Sequence, residues 1–377
     1  MEKKLYGADV VIDSLRKHGI NLVFGIPGAK IDRLFEGLDG QDSEGAPKLI
    51  VTRHEQNAAF MAQAYGRLTG KTGVAITTSG PGVGNFATGI MTANAEGDPM
   101  LAIGGQVQRK DLHRATHQST PSTEIMAPIT QYSAEIQDPN NISEIMANAF
   151  EASQDARKGA AFVSLPQDVD DAEVTEKPLP IYETPKMGPA DPNDLQKLVE
   201  LIKNSKMPVI LVGQRGADEE ITTALRKLLS DYSLPVVETY QAAGVVSRDL
   251  EQQSYFGRIG LFRNQVGDQL LQQSDLVIAV GYDPIEYEPR NWNKEGNLRI
   301  VNLDTLPAQI DNHYTPIMQL VGNITTSLTE LDKLLKGYEY PVAATEQLAK
   351  YKQELDQDKK IQVPASNDAS HPLAVVH

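Results

Sequence analysis

The chain has no cysteine among its 377 residues. That removes disulfides, thiolate metal sites and cysteine nucleophiles together. Tryptophan occurs once, at Trp292. No run approaches the ~18 consecutive apolar residues of a membrane span. The opening residues, Met1-Glu2-Lys3-Lys4-Leu5-Tyr6, lack the apolar core of a secretory signal. Positive charge is in short supply: 35 Lys and Arg against 50 Asp and Glu leave a net charge of −15. Such a surface repels nucleic acid and anionic membranes, so neither is expected as a partner. Two familiar motifs are also missing. No His-Glu-x-x-His is present, and Gly80-Pro81-Gly82-Val83-Gly84 falls short of the dinucleotide fingerprint because Asn85 stands where the last Gly belongs. What remains is the composition of a cytoplasmic enzyme that works through a small-molecule cofactor.

What is present is an alternation of helix and strand signals. Leu5, Ala8, Val11, Ile12 and Leu15 mark one helix face, stopped near Gly19. Strands are predicted over residues 21–24, 49–52, 73–77, 100–103 and 161–165. Helices are predicted over 55–69, 86–94 and 142–154. Continuous apolar strands between helices indicate a buried parallel sheet. Residues 174–192 carry Pro178, Pro180, Pro185, Pro189 and Pro192, too many for a regular element. A second α/β pattern then begins, with strands over 209–212, 235–238, 276–280 and 299–303. Its helices fall near 219–229 and 265–273. Residues 346–360 read as an exposed helical connector. After Pro372, which suits a first helical turn, an apolar pattern restarts at Leu373 and stops within about one turn, far short of the ~11–12 residue mean helix. We read this as the truncated start of a further domain. The expected division is 1–175, 190–340 and a linker with that start over 341–377. The fold class is α/β, with two doubly wound parallel-sheet domains.

Chemistry concentrates at Arg53-His54-Glu55. Glu55 falls where a strand ends and a helix begins, the place where open α/β sheets put their ligands. A carboxylate there can shift a proton on a bound molecule, because it exists as ion or acid and burial tunes which. By itself the position is better explained by the favourable electrostatics of an acid at a helix start. Gly25 and the Ser79-Gly80-Pro81-Gly82 turn are expected at neighbouring strand ends, where absent side chains allow close backbone approach. Ordinary βα turns explain them equally well.

The order of the motifs changes that balance. Gly25-Ile26-Pro27-Gly28-Ala29-Lys30-Ile31-Asp32, Arg53-His54-Glu55, Thr78-Ser79-Gly80-Pro81-Gly82 and Phe162-Val163-Ser164-Leu165-Pro166-Gln167-Asp168-Val169 closely resemble the pyrimidine-binding domain of thiamine diphosphate-dependent acetolactate synthases. Arg258-Ile259-Gly260-Leu261-Phe262-Arg263-Asn264-Gln265 and Gly281-Tyr282-Asp283-Pro284-Ile285-Glu286-Tyr287-Glu288-Pro289 resemble the catabolic, flavin-independent branch. The resemblance spans essentially the whole chain. It implies three α/β domains, the third holding the diphosphate through Mg²⁺ with a Gly-Asp-Gly motif and a downstream Asn. No Gly-Asp-Gly occurs here: Gly97-Asp98 is followed by Pro99, and Gly267-Asp268 by Gln269. The third domain, with its diphosphate and metal site, is therefore expected to be missing, and no metal ligand is assigned.

The resemblance implies roles residue by residue. Glu55 bonds the aminopyrimidine ring and favours its imino form, which starts the decarboxylation of pyruvate and its joining to a second pyruvate. Gly25, Ser79, Gly80, Pro81 and Gly82 line that ring. His117 and Gln118 lie beside the reacting carbons, Gln118 as a donor to the keto acid and His117 in proton transfer. Gln106 lines the substrate pocket or makes a loop contact. Arg263 draws the substrate carboxylate or is solvated surface. His113 and His117 also have the i, i+4 spacing of a zinc pair, with an exposed loop as the competing explanation. Trp292 is assigned to packing. The implied reaction gives 2-acetolactate and CO₂ and commonly feeds acetoin formation. FAD is not expected. The site forms between the first domain of one subunit and the third of another, so a homodimer or homotetramer is implied. The fragment alone is expected to be inactive. Competing readings are a flavin-dependent pyruvate oxidase-like enzyme and a non-catalytic assembly partner of full-length subunits.

Overall fold

In the computed structural model the apolar runs become the strands of two six-stranded parallel sheets. The structure describes residues 4–39, 45–183, 185–260 and 264–358. The chain divides into two units, Met1–Pro185 and Lys186–His377.

In the first unit the strands are β1 (Leu22–Ile26), β2 (Lys48–Val51), β3 (Gly73–Thr77), β4 (Met100–Gln106), β5 (Tyr132–Glu135) and β6 (Ala160–Pro166). Their order is β2-β1-β3-β4-β6-β5, and each neighbouring pair is parallel. The central strands β3, β4 and β6 are buried throughout, whereas β2 and β5 at the edges are not. Helices cover both faces, which is why these strands are apolar without alternation. On one face α1 (Gly7–Lys17), α2 (Asp32–Leu38) and the helix Ile142–Gln154 pack on Val23, Val74, Ile76, Leu101 and Val163. On the other, α3 (Glu55–Thr69) and α4 (Pro81–Glu96) pack on Phe24, Ala75, Ala102 and Phe162. The chain leaves β1 for the outer strand β2 and returns to β3 on the far side of β1. This reversal opens a crevice beyond the ends of β1 and β3.

The second unit repeats the plan. Its strands are β7 (Pro208–Val212), β8 (Val236–Glu238), β9 (Tyr255–Arg258), β10 (Leu276–Val280), β11 (Ile300–Asp304) and β12 (Met318–Val321), in the order β12-β11-β10-β7-β8-β9. All its neighbouring pairs are parallel as well. Helices Pro192–Asn204, Glu219–Tyr232 and Ile324–Leu334 cover one face. Trp292 is fully buried on the other, its indole N–H donating to Tyr282 Oη at 3.2 Å. Its packing assignment agrees with this position.

Several local readings change. Strands β5, β9 and β12 were not anticipated: each is a short strand, and β5, β9 and β12 lie at sheet edges, where a weak apolar signal suffices. The helix expected from residue 86 begins at Pro81, because proline suits the first helical turn. The connector expected as exposed over 346–360 is the helix Val342–Asp358, and Ala344, Leu348 and Tyr351 pack it onto the second unit. Residues 172–174, at the entry to the proline-rich stretch, pair with Leu5–Gly7, and within the stretch Tyr182 Oη donates to Ala147 O at 3.1 Å. The restart at Leu373 lies outside the described residues.

One buried group gives the first unit a pH signature. Asp170 is fully buried after β6, and neither carboxyl oxygen meets a donor in good hydrogen-bond geometry. Burial pushes this carboxyl up to about 7, with the nearby Leu34 amide and Arg33 offsetting only part. The native state therefore holds a proton between pH about 4 and about 7 that the unfolded chain has released, so this group's contribution to stability falls as pH rises through that window. Asp170→Asn should remove the dependence. Relative to the parent, the variant is expected to gain on the order of a few kcal/mol between pH 4 and pH 8, as read by urea unfolding at each pH. A constant difference between variant and parent across that range would contradict the assignment.

Candidate active site

Glu55 is the first residue of α3. His54 precedes it in extended conformation and caps the helix, its Nδ1 accepting from the Gln56 amide at 3.2 Å. Thr52 Oγ1 donates to His54 O at 3.0 Å and stiffens the approach from β2. The carboxylate leans across to α4, where Asn85 Nδ2 donates to Oε2 at 2.9 Å. The two helices approach closely because their seam is built of small residues. A Cβ on Gly89 would fall 2.5 Å from the Ala59 Cβ. Near the start of α4, a Cβ on Gly82 would stand 2.7 Å from Thr77 Oγ1 and 3.5 Å from Glu55 Oε1. Glu55 thus faces a wall that only glycine leaves bare. Both α3 and α4 begin at this corner, so their unpaired amide ends favour negative charge there.

The turn between β3 and α4 is equally constrained. Gly80 has φ +61° and ψ −115°, a conformation that residues with a Cβ avoid. A Cβ there would also lie 2.9 Å from Gln118 O and 3.0 Å from its Cα. Gln118 itself has φ +67°, which is uncommon for a side chain of this kind and typical of functional sites. Ser79 is buried, and its hydroxyl donates to Gln118 Oε1 at 3.3 Å. Gln118, Ser79 and Gly80 therefore meet at the end of β3. Gly25 lies at the neighbouring end of β1, where its missing side chain is accounted for by Ile76 O, 2.4 Å from an added Cβ.

The loop carrying Gln118 is tied at both ends. Upstream, Arg109 binds Asp168 through Nε at 2.8 Å and through its backbone amide at 2.9 Å. Downstream, Gln106 Nε2 donates to Thr120 O at 2.8 Å, and Gln106 is buried. Gln106 therefore makes the loop contact, with its amide turned toward residues 120 and 122. His117 is exposed next to Gln118. His113 and His117 are on no common helix, so the i, i+4 argument for a zinc pair does not apply. Among the described residues, no group of three or more His, Asp or Glu side chains could hold a metal ion. Arg263 lies outside the described residues. Sequence reading missed Asn85, Thr77, Thr78 and His54. The cap at His54 was visible in principle, as a side-chain acceptor just before a helix.

The second unit uses its own crevice differently. Its sheet reverses between β7 and β10, and charged groups lie beyond their ends. Both Glu286 oxygens accept from the Gln214 amide at 3.0 Å, and Oε1 also accepts from Thr239 Oγ1 at 2.8 Å. Burial pushes the Glu286 carboxyl up to about 7. Arg215 Nη2 binds Asp304 Oδ2 at 2.7 Å and donates to Tyr282 O at 3.0 Å. Burial works against the guanidinium charge, but bonds to Asp304 and Asp283 outweigh it and keep Arg215 protonated.

The corner around Glu55 has unmet polar groups of the kind an aminopyrimidine would engage. The hydroxyls of Thr77 and Thr78 are buried and find no hydrogen-bond partner among the described residues. Buried polar groups are seldom left so. With the bare wall at Gly82 and the Glu55 carboxylate beside it, the Thr77 hydroxyl fits a small polar heterocycle. Comparison with known proteins agrees. A family model described as thiamine pyrophosphate enzyme, N-terminal TPP binding domain, matches residues 5–126, and one described as thiamine pyrophosphate enzyme, central domain, matches residues 195–331. The chain belongs to the thiamine pyrophosphate enzymes. Among similar proteins, an acetolactate synthase of Bacillus subtilis (strain 168) is 48% identical over 370 residues, covering 98% of this chain and 64% of that protein. A catabolic acetolactate synthase of Raoultella terrigena is 39% identical over 375 residues, covering 98% of this chain and 66% of that protein. A probable acetolactate synthase large subunit of Methanococcus aeolicus is 31% identical over 344 residues, covering 87% and 55%. The chain thus spans less than two thirds of the length of these relatives. Its two units are the N-terminal and central α/β domains of a thiamine pyrophosphate enzyme, as the sequence reading expected. No helix among the described residues is long and apolar enough to cross a membrane.

Gly80→Ala tests the corner directly. It forces a Cβ against Gln118 in a glycine-only conformation, so a loss on the order of 1–3 kcal/mol is expected in urea unfolding. The amide signals of residues 117–119 should move with it in NMR spectra. A variant as stable as the parent, with those signals unmoved, would show that the turn relaxes freely.

Proposed function

We propose that this chain supplies the aminopyrimidine half of a thiamine diphosphate site in an acetolactate synthase. The reaction is the decarboxylative condensation of two pyruvates to 2-acetolactate and CO₂. One observation carries the reading: Glu55 stands at a glycine-bare wall beside the buried hydroxyl of Thr77, which has no partner among the described residues. The likeness to acetolactate synthases supports the substrate class. When bound, thiamine diphosphate supplies the electron sink for loss of CO₂ and for the new carbon–carbon bond. Glu55 gives and takes a proton at the ring. Thr77 offers a hydroxyl to it, while Gly80, Pro81 and Gly82 keep the wall flat. Gln118, held over Gly80, presents an amide to the keto acid, and His117 stands beside it at the surface. Gln106 and the Arg109–Asp168 pair keep that loop in place. Arg263 remains a candidate for the substrate carboxylate.

The Gly-Asp-Gly motif associated with the diphosphate and Mg²⁺ is not among these 377 residues, so they supply only the aminopyrimidine half. We place the enzyme in the cytoplasm as a homodimer or homotetramer, feeding acetoin formation. We read the enzyme as flavin-free, with the likeness to a catabolic acetolactate synthase in support. With pyruvate, thiamine diphosphate and Mg²⁺, the purified 377-residue chain is expected to form no acetolactate. Formation of acetolactate by this chain alone would overturn the half-site assignment. Spiking the assay with a polypeptide carrying the diphosphate half should restore activity, and Glu55→Gln should abolish what is restored.

A further inference from the structure

Asn85, the residue that breaks the dinucleotide pattern, has a place in this corner that its sequence context did not reveal. It lies in the first turns of α4, and its Nδ2 donates to Glu55 Oε2 at 2.9 Å. The wall around it is bare. Gly84 has open space where a side chain would be, and Gly82 presents only backbone. Val83 is buried in the core beneath. Asn85 is therefore the residue of these turns that reaches the carboxylate.

The bond engages one oxygen only. Oε1 stands toward Gly82, 3.5 Å from the position of an added Cβ, and accepts no hydrogen bond among the described residues. The two oxygens are thus made unequal by their surroundings. The terminal torsion of a glutamate is broad and roughly two-fold, so without such a hold the two oxygens exchange places. A carboxyl that trades a proton with a ring nitrogen needs one oxygen aimed and the other kept from competing. An amide suits the second task. It donates without titrating, and its hold does not change with pH.

We propose that Asn85 is a positioning residue that pins Glu55 Oε2, so that Oε1 is the oxygen presented to the aminopyrimidine. The step it serves moves one proton between Oε1 and the ring nitrogen and changes no other bond. This rests on the assignment of Glu55 given above and names how the same site is set.

The test uses the 377-residue chain with 4-amino-5-hydroxymethyl-2-methylpyrimidine as probe. In ¹⁵N spectra, the Asn85 side-chain amide signals should move in Glu55→Gln, reporting the bond without any ligand. Probe affinity should fall about tenfold in Asn85→Ala, the worth of one hydrogen bond to a charged group. Melting temperature should stay within about 2 °C, as for a surface substitution. Asn85→Asp should bind more weakly still, since it sets a second carboxylate against the first. Asn85→Ser, which keeps a donor, should recover part of the loss. If Glu55→Gln weakens probe binding and Asn85→Ala does not, the inference is wrong while the assignment of Glu55 stands. If the parent and Glu55→Gln bind the probe equally, or neither binds, that assignment fails and the inference fails with it.

Discussion

The close seam between α3 and α4 is the constraint on which the candidate site depends. Ala59 meets Gly89 in it, and a single added carbon on Gly89 would collide. That approach brings the first residue of α3 within reach of the first turns of α4. Glu55 can then bond Asn85 across two helices that are joined through β3. Were the seam packed with leucines, the helices would separate by several ångströms toward the usual 8–10 Å between axes. Glu55 would then be an ordinary acid at a helix start. The apolar face of the same helices rests on Phe24, Ala75 and Phe162, so the seam is held from below by the core as well.

The two units use one topology in opposite ways. Each is a parallel sheet with a reversal of strand order, and each opens a crevice there. In the first, glycines and unpartnered threonine hydroxyls border the crevice and leave polar demand unmet. In the second, Glu286 takes the amide of Gln214, and Arg215 spans to Asp304 and Asp283. An internal carboxylate sits on the βα turn where an anionic ligand would otherwise bind. Unmet polar groups cost stability, and satisfied ones need no ligand. At the strand ends, the first unit thus has an unpartnered threonine hydroxyl beside Glu55, whereas in the second Glu286 and Arg215 are bonded internally.

Much of this was legible in the sequence, and the limits have physical causes. The central strands were readable because burial on both faces writes an unbroken apolar run, as in Val74-Ala75-Ile76. The edge strands β5, β9 and β12 were not, because one side of each faces no neighbour and its composition is freer. Glu55 was found from its place at a strand end, and the ordered glycine motifs gave it meaning. Asn85 was not found. Its pattern value was negative, the residue that spoils a fingerprint, and only the seam turns it toward Glu55. Gln106 could be read two ways from position alone, and the structure shows the loop contact, its amide donating to Thr120 O.

Gln118 shows why the strain in this site is local and not diffuse. A left-handed glutamine costs on the order of 1–3 kcal/mol and persists only if its surroundings over-determine it. They do so from three sides. Arg109 and Asp168 hold the loop upstream, Gln106 holds it downstream, and Gly80 leaves the space into which the Gln118 backbone folds. Each of these ties is anchored on a central strand or its immediate end. The stability of the sheet is in this way spent at one point, the amide of Gln118 beside Ser79. A loop without those anchors would relax to an extended backbone and carry that amide away from the corner where Glu55 waits.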